Sequence, residues 1–114
     1  MTPEQFFTRL KKEPQTITFN DTISVIEELY AFTPAAFING ELQNEAGNNN
    51  GSCKIFAFAR LQKLTEEETL HCFGEYYRKD VLENPQGNDH QNIRNFIKTG
   101  WQGIDFKSEP LRLK

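Results

Sequence analysis

Apolar residues recur at helical spacing in five stretches of the chain and alternate with polar ones in only a few short stretches. Thr2-Pro3-Glu4-Gln5 opens the first helix: Thr2 caps, Pro3 takes the first helical position and Gln5 completes a capping box. Phe6, Phe7 and Leu10 give it an apolar face, Lys11 and Lys12 sit where the dipole favours cations, and Pro14 ends it, so a helix is predicted over 3–12. Thr16-Ile17-Thr18-Phe19 alternates with β-branched residues and predicts a strand over 16–19. Asn20-Asp21 reads as the N-cap of a second helix, 21–30, striped by Ile23, Ile26, Leu29 and Tyr30 and broken at Thr33-Pro34. Residues 37–42, Phe-Ile-Asn-Gly-Glu-Leu, read as a short strand or as a hairpin turning at Asn39-Gly40.

The stretch QNEAGNNNGS, residues 43–52, is a polar loop. Ser52 is the expected cap of a third helix, 52–63. Its Ile55, Phe56, Phe58, Ala59 and Leu61 are apolar over much of its girth, which marks it as central. Thr65-Glu66-Glu67-Glu68 is a capping box with acids in the first turn. It opens a helix over 66–82 faced by Leu70, Phe73, Tyr76 and Tyr77. After the turn NPQGND, Asp89 is the expected cap of a helix over 89–99 that buries Ile93, Phe96 and Ile97 and ends at Gly100. A strand is predicted over 103–106, with a looser Leu111-Arg112-Leu113 behind it.

These elements predict a mainly helical α+β fold, a single domain over 1–114 with about five helices and a small sheet of two to four short strands. The first and last strands are expected to pair and close the domain. Phe19, Ile26, Phe56, Phe58, Phe73, Phe96 and Ile97 are its expected core. Ten Phe, three Tyr and one Trp supply enough bulk to exclude disorder. A net charge of -3 draws the chain to neither a nucleic acid nor an anionic membrane. No apolar run approaches the roughly 18 residues of a membrane span, and the N-terminus has no signal-peptide pattern. Cys53 and Cys72 are a poor disulfide framework and are expected to be reduced, a pairing between them being the alternative.

Cys53 offers the sharpest chemistry, because a helix start lowers a thiol pKa. His71 or His90 would be its base, oriented by Asn44, Asn92 or Asp89, and the competing reading is a small apolar residue packed under the helix. Glu45 with Glu41 is a second candidate, an acid/base pair if buried. The run Asn48-Asn49-Asn50-Gly51-Ser52 offers N–H groups at a helix start, although the phosphate-loop fingerprint is absent. Trp101, flanked by glycines, would either line a groove or sit at the core edge. His71 and Cys72 are adjacent and point to different helix faces, so no metal site is expected. The region expected to bind is Asn44 to Cys53, with Trp101 and the helix start Asp89-His90-Gln91-Asn92 as neighbours.

The stretch FTPAAFINGELQNEAGNNNGSCKIFAFARLQ, followed by CFGEYYRKDVL and GNDHQNIRNFIKTGWQGIDF, closely resembles the HopJ family, and the likeness runs from about Phe7 to Phe106. The family carries the label of type III effector, which implies delivery into a host cell and interaction with host proteins. The resemblance brings no agreed activity, cofactor or catalytic residues. A capped amphipathic helix is a poor secretion leader, so the chain is expected to stay in the bacterial cytoplasm, with the host cell as the alternative. It is expected to be a monomer, without cofactor, that binds an unidentified protein or small molecule. The alternative is a small hydrolase or transferase using Cys53.

Overall fold

Three helices open on the same device. Thr2, Thr18 and Thr65 each accept the backbone N–H three residues on, and Gln5, Asp21 and Glu68 accept the cap's own N–H in return. Each capping box satisfies two end donors at once. The computed structural model describes residues 1–114, and in it these boxes start α1 (Pro3–Lys12), α2 (Phe19–Leu29) and α4 (Glu66–His71). The middle box overturns the strand predicted over 16–19. Pro14–Thr16 is a 3-10 turn, and Thr18, not Asn20 or Asp21, caps α2, so Phe19 becomes its first residue. Periodicity over four residues could not compete with two reciprocal cap bonds.

The helix predicted over 66–82 is also divided. It breaks after α4 at Gly74, which holds φ +61°, and resumes as a π-helix, Tyr76–Val81. A Cβ on Gly74 would stand 2.4 Å from the Phe19 nitrogen. Only glycine allows this approach to the start of α2. Glu75 Oε1 then accepts the Phe19 N–H at 2.9 Å. The remaining helices are α3 (Asn50–Leu61) and α5 (Gln91–Thr99), followed by a 3-10 turn, Gly100–Gly103.

The strands are short and antiparallel, and they form two sheets. β1 (Tyr30–Phe32) pairs with β5 (Leu111–Leu113), and β3 (Leu42–Asn44), β2 (Phe37–Asn39) and β4 (Ile104–Phe106) lie side by side in that order. The closing pair is therefore β1 with β5, while the strand predicted over 103–106 joins the hairpin, with Ile38 opposite Asp105. The hairpin turns at Gly40-Glu41, where Gly40 takes φ +64°.

α3 is the axis of the domain. Ile55, Phe56, Ala57, Phe58 and Ala59 are all 0% exposed, which is how a helix apolar over much of its girth must sit. The Phe56 ring lies 5.3 Å from Phe73 and 5.0 Å from Phe96, and Phe58 meets Phe6 and Phe7 of α1. Of the expected core, Ile26, Phe56, Phe58, Phe73 and Phe96 are buried. Ile97 is 47% exposed, because α5 turns Asn92, Ile93 and Phe96 inward and leaves Ile97 about 100° round the helix from Phe96. Phe19 is half-buried at the edge of a cleft. Both cysteines are free thiols.

Candidate functional site

Two helices begin at one cleft. The residues before α3 and α5, Asn49 and His90, hold left-handed φ values of 54° and 49°. Neither helix start is closed by a capping side chain. This corrects Ser52 and Asp89 as caps: Ser52 lies inside α3, and Asp89 precedes the cap position of α5. A cleft of about 480 Å³ opens between the two helix starts.

Rings form one wall of the cleft. Tyr76 of the π-helix stacks on the His90 imidazole at 5.2 Å and 24°, and its other neighbour is the Phe19 ring at 4.9 Å. Gly51 makes room for that ring, since a Cβ there would stand 2.9 Å from Phe19 Cζ. Leu42, Phe73 and Ile93 add apolar surface. His90 is held from behind by Asp80, whose Oδ2 lies 2.9 Å from Nε2.

Amides form the other wall. Asn92 lines the cleft and its side chain reaches inward. Its Oδ1 accepts from Asn39 Nδ2 at 3.0 Å and from Asn44 Nδ2 at 3.1 Å, and its own Nδ2 donates to Asn44 Oδ1 at 2.9 Å. Asn49 Nδ2, at the mouth, donates to the same Asn44 oxygen at 2.8 Å. The cluster ties α5 to both strands of the β2–β3 hairpin and to the entrance of α3. Asn39 Oδ1 at its inner end is buried without a partner. Buried amides held by one another rigidify what they join.

Residues singled out in the sequence thus meet at the cleft: Asn49, Gly51, Ser52, His90, Gln91 and Asn92. Asn44 stands behind them in the amide cluster. Glu45 and Asn48 are exposed on the loop, Asn50 is exposed as the first residue of α3, and none of the three lines the cleft. Glu41 is exposed at the hairpin turn. Asp89 is exposed and is held by Arg94 Nη2 at 2.6 Å, a contact that keeps its carboxyl below the usual range. Trp101 is half-buried, donates from Nε1 to the Leu64 carbonyl at 3.2 Å and lies edge-on to Phe96 and Phe56.

Cys53 does not line the cleft. It lies in the first turn of α3, 1% exposed, with Sγ donating to the Ala35 carbonyl at 3.6 Å. Burial pushes its thiol up, against the depression expected of a helix start. Cys72 is fully buried and pushed up to about 12 by burial. His71 lies elsewhere, in a shallow recess with Leu10, Pro14 and Thr65. Burial first, and then the neighbouring Arg78 guanidinium, hold its imidazole below the ordinary histidine value. No three His, Cys, Asp or Glu side chains gather as a metal set.

The sequence reasoning missed Phe19, Leu42 and Tyr76 as lining residues. One signal was present: the spacing of Thr18 and Asp21 is that of a capping box, which would have put Phe19 at a helix start. Nothing local marks Tyr76, which reaches the cleft only because the chain breaks at Gly74.

A sequence model described as HopJ type III effector protein matches residues 3–111. Among solved structures, the crystal structure of the unknown-function protein VPA0580 is similar over 100% of this chain and 95% of that chain, with 56% identity and a TM-score of 0.97. No curated protein matches the chain.

Proposed function

The chain belongs to the HopJ family, and from that premise we propose that it is a binding module whose cleft takes a small molecule with a flat ring and a hydrogen-bonding edge. One observation carries this reading: the Phe19, Tyr76 and His90 rings line one cleft together with the polar side chains of Asn49, Ser52 and Gln91. Apolar walls with a few fixed polar groups are the ordinary composition of a small-molecule site. The enzyme alternative needs a thiolate at Cys53, and the burial of that side chain works against one.

The same reading keeps the protein in the bacterial cytoplasm, with host delivery as the alternative carried by the family's type III effector description. Its support is α1, whose Phe6 is 0% exposed and packs on Phe58, so that unthreading it would cost core contacts. No helix is long and apolar enough to cross a membrane.

The test is a screen of soluble heterocyclic fragments against isotope-labelled protein by amide NMR. Hits are expected to shift the Ser52, Tyr76, His90 and Asn92 amides, and Tyr76→Ala is expected to abolish them. A library without such a hit would overturn the reading. Rapid alkylation of Cys53 by iodoacetamide at neutral pH in the folded protein would restore the enzyme alternative.

A further inference from the structure

A second concavity, independent of the ring-lined cleft's proposed ligand, adjoins that cleft at Gln91. Val81 and Leu82 at the end of that helix, Pro85 in the following turn, and Ile97 and Lys98 of α5 enclose a groove of about 330 Å³. Single exposed apolar side chains on a surface are ordinary. Here two of them converge from different elements: Leu82 is 52% exposed and Ile97 47%. Ile97 is the residue that helical periodicity assigns to the core and that α5 turns outward.

The charged residues that line this floor are both cations, Arg94 and Lys98. No carboxylate lines the groove, in a chain whose net charge is -3. Its two cations differ in what they can do. Arg94 is already committed, with Nη2 on Asp89 and Nη1 on the Asn84 carbonyl at 2.9 Å. Lys98 is exposed and forms no ion pair within the molecule. An apolar floor beside one free ammonium complements an aliphatic side chain with a carboxylate beside it.

We infer that this groove is a docking site for a partner protein that offers an acidic, leucine-bearing segment. The aliphatic side chain sits between Leu82 and Ile97, and the acid pairs with Lys98. Apolar burial supplies the anchor, and the rim ion pair supplies charge selection and the rate of encounter. π-helices recur at functional sites, and this one presents Tyr76 to the cleft and Val81 to the groove.

The experiment titrates isotope-labelled protein with two short peptides, one built on Asp-Leu-Leu-Asp and one on Lys-Leu-Leu-Lys, and follows the amides of Leu82, Ile97 and Lys98. The acidic peptide is expected to move these amides and the basic one to leave them in place. Lys98→Glu and Ile97→Asp are each expected to weaken the acidic peptide by about tenfold or more. Both positions are exposed, and amide spectra report whether each variant stays folded. Tyr76→Ala, in the neighbouring cleft, is expected to leave peptide affinity unchanged. Equal shifts with both peptides, shifts confined to the ring-lined cleft, or unchanged affinity in Lys98→Glu would overturn the inference. Concentration-dependent shifts of the same amides without peptide would overturn it too, by making a second copy of the chain the occupant.

Discussion

Asn92 is the joint between the cleft and the fold, and its removal has a calculable cost. Replacement by Ala deletes three side-chain hydrogen bonds to Asn39 and Asn44. Asn39 Nδ2 keeps a partner in the Asn92 backbone carbonyl at 2.8 Å, and Asn44 Oδ1 keeps Asn49. Asn44 Nδ2 loses its acceptor while buried. One orphaned donor costs about 1–3 kcal/mol, and the lost bonds add to it, so the expected destabilisation is about 2–4 kcal/mol. A domain of 114 residues holds roughly 6–17 kcal/mol in total, so the variant should remain folded.

Asn92→Asp separates this account from simple loss of volume. The substitution puts a carboxylate oxygen where Nδ2 donates to Asn44 Oδ1, so two acceptors face each other in a buried site. Burial raises the folded pKa of the introduced acid above its unfolded value of about 3.9. Stability tied to the neutral form is then full at low pH and lost as pH rises. The deficit of Asn92→Asp against wild type should therefore shrink as pH falls from 7 towards 4. Urea denaturation followed by the fluorescence of the sole tryptophan, Trp101, measures both variants. A cost below about 0.5 kcal/mol for Asn92→Ala, or a pH-independent deficit for Asn92→Asp, would refute the amide cluster as a structural joint.

Phe56→Ala should cost about 3–5 kcal/mol, at the upper end because the ring meets Phe37, Phe73, Phe96 and Trp101. The same denaturation assay checks it, and a loss under about 1 kcal/mol would contradict the central placement of α3. Because the folded state holds the His71 imidazole below its ordinary value of about 6.5, the stability it contributes is present above that pH and is lost as pH falls through the folded value. Wild type should thus lose more stability than His71→Gln between pH 7 and 5, and parallel pH profiles would contradict this. A reporter fused to residues 1–20 should stay in the bacterium with or without an active type III apparatus, whereas apparatus-dependent delivery would restore the effector reading.

The helix starts at Thr2 and Thr65 were legible in the sequence because a capping box is a local device: donor and acceptor lie three residues apart, and no distant group takes part. The central place of α3 was legible for a related reason, since five consecutive apolar residues, Ile55 to Ala59, cover the whole circumference of its middle turns. The loop from Asn44 to Ser52 and the neighbourhood of Asn92 were likewise marked by composition. Tertiary structure decided the rest. Phe19 and Tyr76 became neighbours through the break at Gly74, where a Cβ would collide with backbone 55 residues away in the chain, a contact no local pattern encodes. The outward turn of Ile97 followed from Asn92 bonding to β2 and β3, which rotates α5 against the apolar periodicity of its own sequence. Cys53 carried two readings in the sequence, a reactive thiol at a helix N-terminus and a small apolar residue packed under the helix, and burial settles it as the second. Capping bonds and binary patterning act over a few residues and are written in the chain, whereas burial and the meeting of two helix starts depend on surfaces that exist only once the chain has folded.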